Sequence, residues 1–319
     1  MKTVFVSLRM SEEHKKKLEK AGAGCRFLYR GSEGVDTNEA LRQAEVIIGN
    51  IRLDRLQIAE KLELLQLNTS GAAEFTAPGV LRPGVLLCSA TGAYGCSVSE
   101  HALAATLMLQ KNLHLYRDAQ SEGRWADYGQ VQSIGASTVL VVGLGDIGLR
   151  YARMAKALGA YVIGVKRRGG ETPEGVDELR RPDELMELLP RADVVASFLP
   201  GTKDTAYLYT MEHFKAMKNS AVFVNCGRGN AVAGEVLNEA LEQGEIFAAS
   251  VDVTEVEPLP ADSPLWKQKK LLLTPHVSGG YRHAQTLDMI VDIACKNLDA
   301  YLNGGELISL VDFETGYKK

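Results

Sequence analysis

One six-residue segment constrains this chain more than any other. Gly143-Leu144-Gly145-Asp146-Ile147-Gly148 stands directly after the apolar run Val139-Leu140-Val141-Val142 and directly before a helix-like stretch. In a strand, turn and helix of this kind the first glycine permits the tight turn, the second admits a pyrophosphate to the backbone, and the third lets helix and strand pack closely. The helix N-terminus adds partial positive charge. The spacing alone is a weak signal, and a glycine-rich turn without a ligand is the alternative. The strand before it and the helix after it favour a dinucleotide site, with Gly143, Gly145, Asp146, Ile147 and Gly148 as cofactor-binding candidates.

The surrounding sequence repeats the same alternation. After Gly135, short apolar runs at 138–142, 161–165, 194–198, 221–225, 248–251 and 271–273 read as strands, with helix-like stretches such as 149–158 and 235–242 between them. Six such strands with helical crossovers predict a doubly wound, dinucleotide-binding sheet. The first hundred residues alternate similarly. Residues 4–8, 46–48, 64–67 and 85–87 read as strands, and 11–21 as a helix capped by Ser11 and closed by Gly22, which implies a second parallel α/β sheet. From 98 to about 120 the pattern predicts one long helix carrying Leu103, Leu107, Leu109, Leu113 and Leu115. So much apolar surface suits packing against another domain or subunit, and a buried helix within one domain is the alternative. A last helix at 284–303 would lead the chain back to the first domain, and 319 residues suffice for two domains.

Composition excludes several classes. The formal charge of −4 and the pI near 5.9 argue against non-specific nucleic-acid binding, which needs a basic surface. No uncharged run is long enough for a membrane span or a secretory signal, so the expected location is the cytoplasm. The five cysteines are scattered, odd in number and never spaced as C-x-x-C, so reduced thiols are expected, with neither a disulfide framework nor a metal site.

The end of the second strand of a dinucleotide sheet usually carries an acidic residue for the adenosine ribose. Here Val162-Ile163-Gly164-Val165 runs into Lys166-Arg167-Arg168, and the acid is missing. Three cations can hold a ribose 2′-phosphate by charge-assisted hydrogen bonds, so the cofactor is expected to be NADP(H) in preference to NAD(H). A solvated charge run is the bland alternative.

A dinucleotide does no chemistry without groups that bind and protonate a substrate. Among the histidines, His14, His114, His213 and His283 sit in polar helix-like contexts, and His101 lies early in the long helix; all five read as structural. His276 differs, because Thr274-Pro275-His276 follows the strand at 271–273, at the carboxyl edge where α/β sheets place ligands. Two further strand ends offer partners, Asn225-Cys226-Gly227-Arg228-Gly229 and the segment from Asp252 to Glu257. Each alone is weak, Arg228 reading as a surface arginine and Glu257 as a loop carboxylate. The order Arg, Glu, His makes them specific.

With those residues in view, the sequence resembles the D-isomer-specific 2-hydroxyacid dehydrogenases, among them glyoxylate/hydroxypyruvate reductases and phosphoglycerate dehydrogenases. The resemblance runs through Ser97-Val98-Ser99-Glu100-His101-Ala102-Leu103, Gly123-Arg124-Trp125, the glycine loop, Leu199-Pro200 with Thr205, Cys226-Gly227-Arg228-Gly229, Glu257-Pro258-Leu259-Pro260 and Thr274-Pro275-His276. It implies that Arg228 pairs with the substrate's carboxylate and C2 oxygen, that His276 is the general acid/base, and that Glu257 bonds the other imidazole nitrogen. A planar guanidinium suits the two adjacent oxygens of a 2-oxo acid, and a nearby carboxylate stabilises imidazolium.

The same resemblance assigns Ser70, Gly71 and Ala72 to the substrate carboxylate, although the acidic residue often found soon after that glycine is replaced by Ala73. It assigns Ser97, Leu199, Pro200, Thr205, Cys226, Gly227, Asp252 and Ser278 to the cofactor, Ser97 at a phosphate and Asp252 at the nicotinamide carboxamide. The implied architecture is two doubly wound parallel-sheet α/β domains: a Rossmann-type cofactor domain at 98–283 inserted in a flavodoxin-like substrate-binding domain made of 1–97 and 284–319. A homodimer formed through the cofactor domain is implied as well. A small unphosphorylated 2-oxo acid is expected in preference to a phosphorylated one, since Arg9, Arg30, Arg52 and Arg55 are not evidently clustered and the chain ends at Lys319 without an extra regulatory domain. The alternatives are phosphoglycerate dehydrogenase-like activity and a non-enzymatic NAD(P)-sensing protein on the same fold.

Overall fold

Strands buried on both faces must be apolar throughout, and most of the unbroken apolar runs of this chain become inner strands of two parallel sheets, those of Leu86–Cys88 and Leu271–Leu273 standing at edges. The computed structural model describes residues 1–280 and 283–318, and the chain divides into two units, Met1–Tyr94 with Tyr281–Lys319, and Gly95–Gly280.

The first unit runs β1 (Thr3–Val6), α1 (Glu12–Ala21), β2 (Arg26–Tyr29), α2 (Thr37–Gln43), β3 (Val46–Ile48), α3 (Leu53–Leu56), β4 (Leu64–Gln66) and β5 (Leu86–Cys88). Its sheet has the order β2-β1-β3-β4-β5, all parallel. Alternate residues serve opposite faces. Phe5, Ile47, Leu65 and Leu87 pack with Ala40 and Leu41 of α2. Val4, Val6, Val46, Ile48 and Leu64 pack with Leu18 of α1 on the other face. Ser11 caps α1 by accepting the His14 N–H at 3.3 Å.

The second unit runs α4 (Gly95–Gln110), α5 (Leu113–Ser121), β6 (Thr138–Val142), α6 (Asp146–Ala157), β7 (Tyr161–Val165), β8 (Glu178–Arg180), α7 (Leu185–Leu188), β9 (Val194–Ser197), α8 (Met211–Ala216), β10 (Val222–Asn225), α9 (Gly234–Gln243), β11 (Ala248–Val251) and β12 (Leu271–Leu273). The sheet order β12-β11-β10-β9-β6-β7-β8 reverses direction between β6 and β9, the switch point at which doubly wound sheets bind ligands. After β12 the chain re-enters the first unit as α10 (Ala284–Asn303), where Val291, Ala294 and Leu298 complete the face shared with α1.

Two expectations, the single long helix and the strand count, need correction. The long helix expected over 98–120 is two helices, because Asn112 adopts a left-handed conformation (φ 56°) between α4 and α5. Asparagine tolerates this conformation better than most residues. Within α4 the buried positions include Val98, Ala102, Ala105, Thr106 and Leu109, while Leu103 and Leu107 are half-buried and Leu113 of α5 is half-exposed. The second sheet has seven strands where six were expected, and β2 was likewise not foreseen. Both extra strands lie at sheet edges: β8 is the polar Glu178-Leu179-Arg180, whereas β2, Arg26-Phe27-Leu28-Tyr29, has an apolar run that the sequence reading passed over. The unit boundaries fall at Tyr94/Gly95 and Gly280/Tyr281, slightly before the expected 97/98 and 283/284, so Ser97 belongs to the second unit. No described helix is long and apolar enough to cross a membrane, and the five cysteines are unbridged.

Candidate active site

The glycine loop sits between β6 and α6. A Cβ on Gly148 would come within 2.1 Å of the Gly143 carbonyl oxygen, so only glycine lets α6 begin this close to the turn. Gly143, at φ 99°, lies against the backbone of Phe198 at the end of β9, which brings the loop carrying Leu199 and Pro200 beside it. The first backbone bond of α6 runs from the Leu149 N–H to the Gly145 oxygen at 3.0 Å, leaving the amides of Asp146, Ile147 and Gly148 unsatisfied by the helix. This cradle of free amides at a helix N-terminus fits a diphosphate. The Asp146 side chain turns to Arg150, with Oδ1 accepting from Nε at 3.0 Å, so the residue offers the cradle its backbone.

Past the end of β7, Lys166, Arg167 and Arg168 are all exposed, and among the described residues none of them forms an ion pair. The neighbouring cations differ. Arg180 and Arg191 are both held by Glu178, whose carboxyl these guanidinium groups depress to about 2. The three cations at the end of β7 are therefore available to an anion.

The loops after β10, β11 and β12 converge. Asn225, fully buried, accepts the Gly227 N–H at 3.1 Å and donates to the Arg228 carbonyl at 3.1 Å, which fixes the turn that presents Arg228. A Cβ on Gly229 would stand 1.9 Å from the Thr254 carbonyl, so this turn lies directly against the loop that leads to Glu257. Glu257 accepts the Thr254 N–H at 3.1 Å through Oε1 and bonds His276 Nδ1 at 2.7 Å through Oε2. His276 Nε2 is thereby left for a substrate. Glu257, His276, Thr254, Leu259, Trp266 and Leu273 line a cavity of about 380 Å³.

His276 has a left-handed backbone (φ 51°), uncommon for a residue with a side chain. Asp252 holds it there. Its carbonyl accepts the His276 N–H at 2.8 Å, and its buried carboxylate accepts four more bonds. Oδ1 takes the Thr274 hydroxyl at 2.6 Å and the Val277 N–H at 2.9 Å, while Oδ2 takes the Ser278 N–H at 3.0 Å and the Ser278 hydroxyl. Any carboxamide contact at Asp252 would share these lone pairs.

The other expected cofactor residues also have internal roles. Ser97 Oγ donates to the Ser278 carbonyl at 2.6 Å. Thr205 Oγ1 accepts the Thr202 N–H at 2.9 Å and shapes the loop after Pro200. The Gly227 backbone abuts Leu199 closely, and burial pushes the Cys226 thiol up, which keeps it neutral. In the first unit, Ser70 and Gly71 follow β4 and are half-buried, with Ala72 buried behind them. Among the described residues the Ser70 and Gly71 amides donate to no acceptor, as an anion-holding turn requires. His101 Nε2 lies 3.2 Å from Thr274 Oγ1, two residues before His276; its only sequence signal is its place in the Ser97–Leu103 motif.

Residues 103–278 match the family model described as D-isomer specific 2-hydroxyacid dehydrogenase, NAD binding domain. The chain belongs to this family. This dehydrogenase is 31% identical to glyoxylate/hydroxypyruvate reductase B of Enterobacter sp. over 83% of its own length and 84% of the relative's. A D-isomer specific 2-hydroxyacid dehydrogenase family protein from Aeromonas salmonicida is 31% identical and superposes with a TM-score of 0.87, covering 98% of this chain and 99% of that one. A D-isomer specific 2-hydroxyacid dehydrogenase from Xanthobacter autotrophicus, crystallised with NADPH and MES, is 26% identical with a TM-score of 0.83 and covers 99% of each chain. The dehydrogenase is thus an NAD(P)-dependent enzyme of two parallel-sheet α/β domains, the fold its sequence predicts.

Proposed function

We propose that this dehydrogenase interconverts a small, unphosphorylated 2-oxo acid and its D-2-hydroxy acid, in the manner of a hydroxypyruvate or glyoxylate reductase, with NADP(H) as the preferred cofactor. The observation that carries the reading is the 2.7 Å contact between His276 Nδ1 and Glu257, on a loop adjoining the turn of Arg228. When bound, the nicotinamide supplies the reducing equivalent at C2. The protein's part is to hold the acid and to move a proton. Arg228 pairs its planar guanidinium with the carboxylate and the C2 oxygen. His276 Nε2 gives its proton to the C2 oxygen in reduction and takes it back in oxidation, while Glu257 stabilises the imidazolium.

The unpaired Lys166, Arg167 and Arg168 support NADP(H), as does the NADPH bound by the Xanthobacter relative. The half-buried Leu103 and Leu107 of α4 and the exposed Leu113 suit a homodimer, and the reading places it in the cytoplasm.

The test is to follow nicotinamide absorbance with NADPH and NADH against glyoxylate, hydroxypyruvate, 3-phosphohydroxypyruvate and branched and aromatic 2-oxo acids. Fast NADPH oxidation with an unphosphorylated acid is expected. Turnover confined to the phosphorylated acid refutes the substrate class, and tight cofactor binding with no turnover favours a sensor.

A further inference from the structure

We propose that His101 of α4 is a positioning residue for proton transfer, acting through Thr274 on the loop that carries His276. The inference rests on the reading of His276 as the general acid/base. A hydroxyl has one proton to give, and Thr274 Oγ1 has two partners, the Asp252 carboxylate at 2.6 Å and His101 Nε2 at 3.2 Å. The carboxylate can only accept, so the Thr274 proton goes to Asp252 and His101 must supply an N–H to Thr274. Either the imidazolium or the neutral Nε2–H tautomer does so, and the link is independent of the charge of His101.

The result is a directed chain, His101 N–H to Thr274 hydroxyl to Asp252 carboxylate, and that carboxylate also receives the amides of Val277 and Ser278 on the far side of His276. A second tie from the same helix runs from Ser97 Oγ to the Ser278 carbonyl. The loop from Thr274 to Ser278 is therefore gripped on both sides of His276 by α4, a helix packed against α6, β10 and β11. Such a grip suits a residue whose left-handed backbone needs external support. It also sets where the imidazole stands relative to Glu257, and proton transfer is sensitive to displacements of an ångström.

The experiment compares His101→Leu, which removes the donor, with His101→Gln, whose terminal amide reaches the position of Nε2. Both are assayed with NADPH and whichever 2-oxo acid the enzyme turns over fastest, and NADPH affinity is measured by fluorescence. His101→Leu is expected to lower kcat by about 10- to 100-fold, with KM and NADPH affinity unchanged, and His101→Gln to restore most of the loss. Full turnover in His101→Leu, a matching loss in cofactor affinity, or failure of glutamine to rescue would each overturn the proposal. If His101→Leu does not fold, Thr274→Val against Thr274→Ser decides the same question, the serine being expected to keep activity and the valine to lose it. His276→Ala is the control. Near-normal turnover there defeats the underlying reading, whereas an inactive His276→Ala beside a fully active His101→Leu defeats this inference alone.

Discussion

Replacing Asp252 with asparagine keeps the volume and removes one acceptor. The wild-type carboxylate receives two donors on each oxygen, and the residue is only 1% exposed. In either orientation the new amide NH₂ faces one pair. The Thr274 or Ser278 hydroxyl of that pair can turn round and accept. The backbone N–H beside it, Val277 at 2.9 Å or Ser278 at 3.0 Å, cannot, and is stranded against another donor. A buried unsatisfied donor costs about 1 to 3 kcal/mol, and the remaining bonds lose their charged acceptor, so a loss of about 3 kcal/mol is expected. For a unit of this size that lowers Tm by roughly 6 to 12 °C. The measurement is calorimetry without cofactor, so that a lost cofactor contact does not contribute. Released from its anchor, the His276 loop should also lose about 10-fold or more in kcat. An Asp252→Asn enzyme with wild-type Tm and wild-type kcat would refute the anchoring argument.

Four further outcomes are expected. His276→Ala should slow turnover by about 10² to 10⁴ while leaving cofactor binding intact, and Arg228→Ala should raise KM and lower kcat together; steady-state kinetics decides both. Lys166→Asp should lower the ratio of kcat/KM for NADPH to that for NADH, and an unchanged ratio would remove Lys166 from the phosphate site. Glu178, depressed to about 2 by Arg191 and Arg180, contributes stability that is present above the ordinary carboxylate range near 4.5 and lost as pH falls toward 2. Glu178→Gln should therefore lower Tm at pH 6 but not near pH 2, and a deficit independent of pH would contradict the ion-pair account.

How much could be read in advance varied with the kind of signal. Inner strands such as β6, β7, β9 and β11 fall within the residues expected of them, because burial on both faces writes an unbroken apolar run into the sequence. The edge strand β8, Glu178-Leu179-Arg180, carries no such run, and the run in β2 is only Phe27-Leu28-Tyr29. The break at Asn112 was hidden because apolar residues continue across it, and only the left-handed backbone separates α4 from α5. Arg228, Glu257 and His276 were nominated by their places at strand ends and by family resemblance, and the tertiary structure brings Glu257 against His276. The contact of His101 with Thr274 was not legible, because a histidine on a helix looks structural until its partner is known.

What the sequence determined by itself is local: a strand, three glycines and a helix occupy consecutive positions, so the cradle at Gly143 to Gly148 follows from chain geometry, and the cations after β7 from position alone. What the tertiary structure decided is every contact between distant residues. Glu257 meets His276 across 19 residues, His101 meets Thr274 across 173 and Ser97 meets Ser278 across 181. No periodicity encodes such distances. They are fixed when parallel crossovers lay β10, β11 and β12 side by side under α4, and burial then makes each unpaired donor costly enough to select one arrangement of the His276 loop.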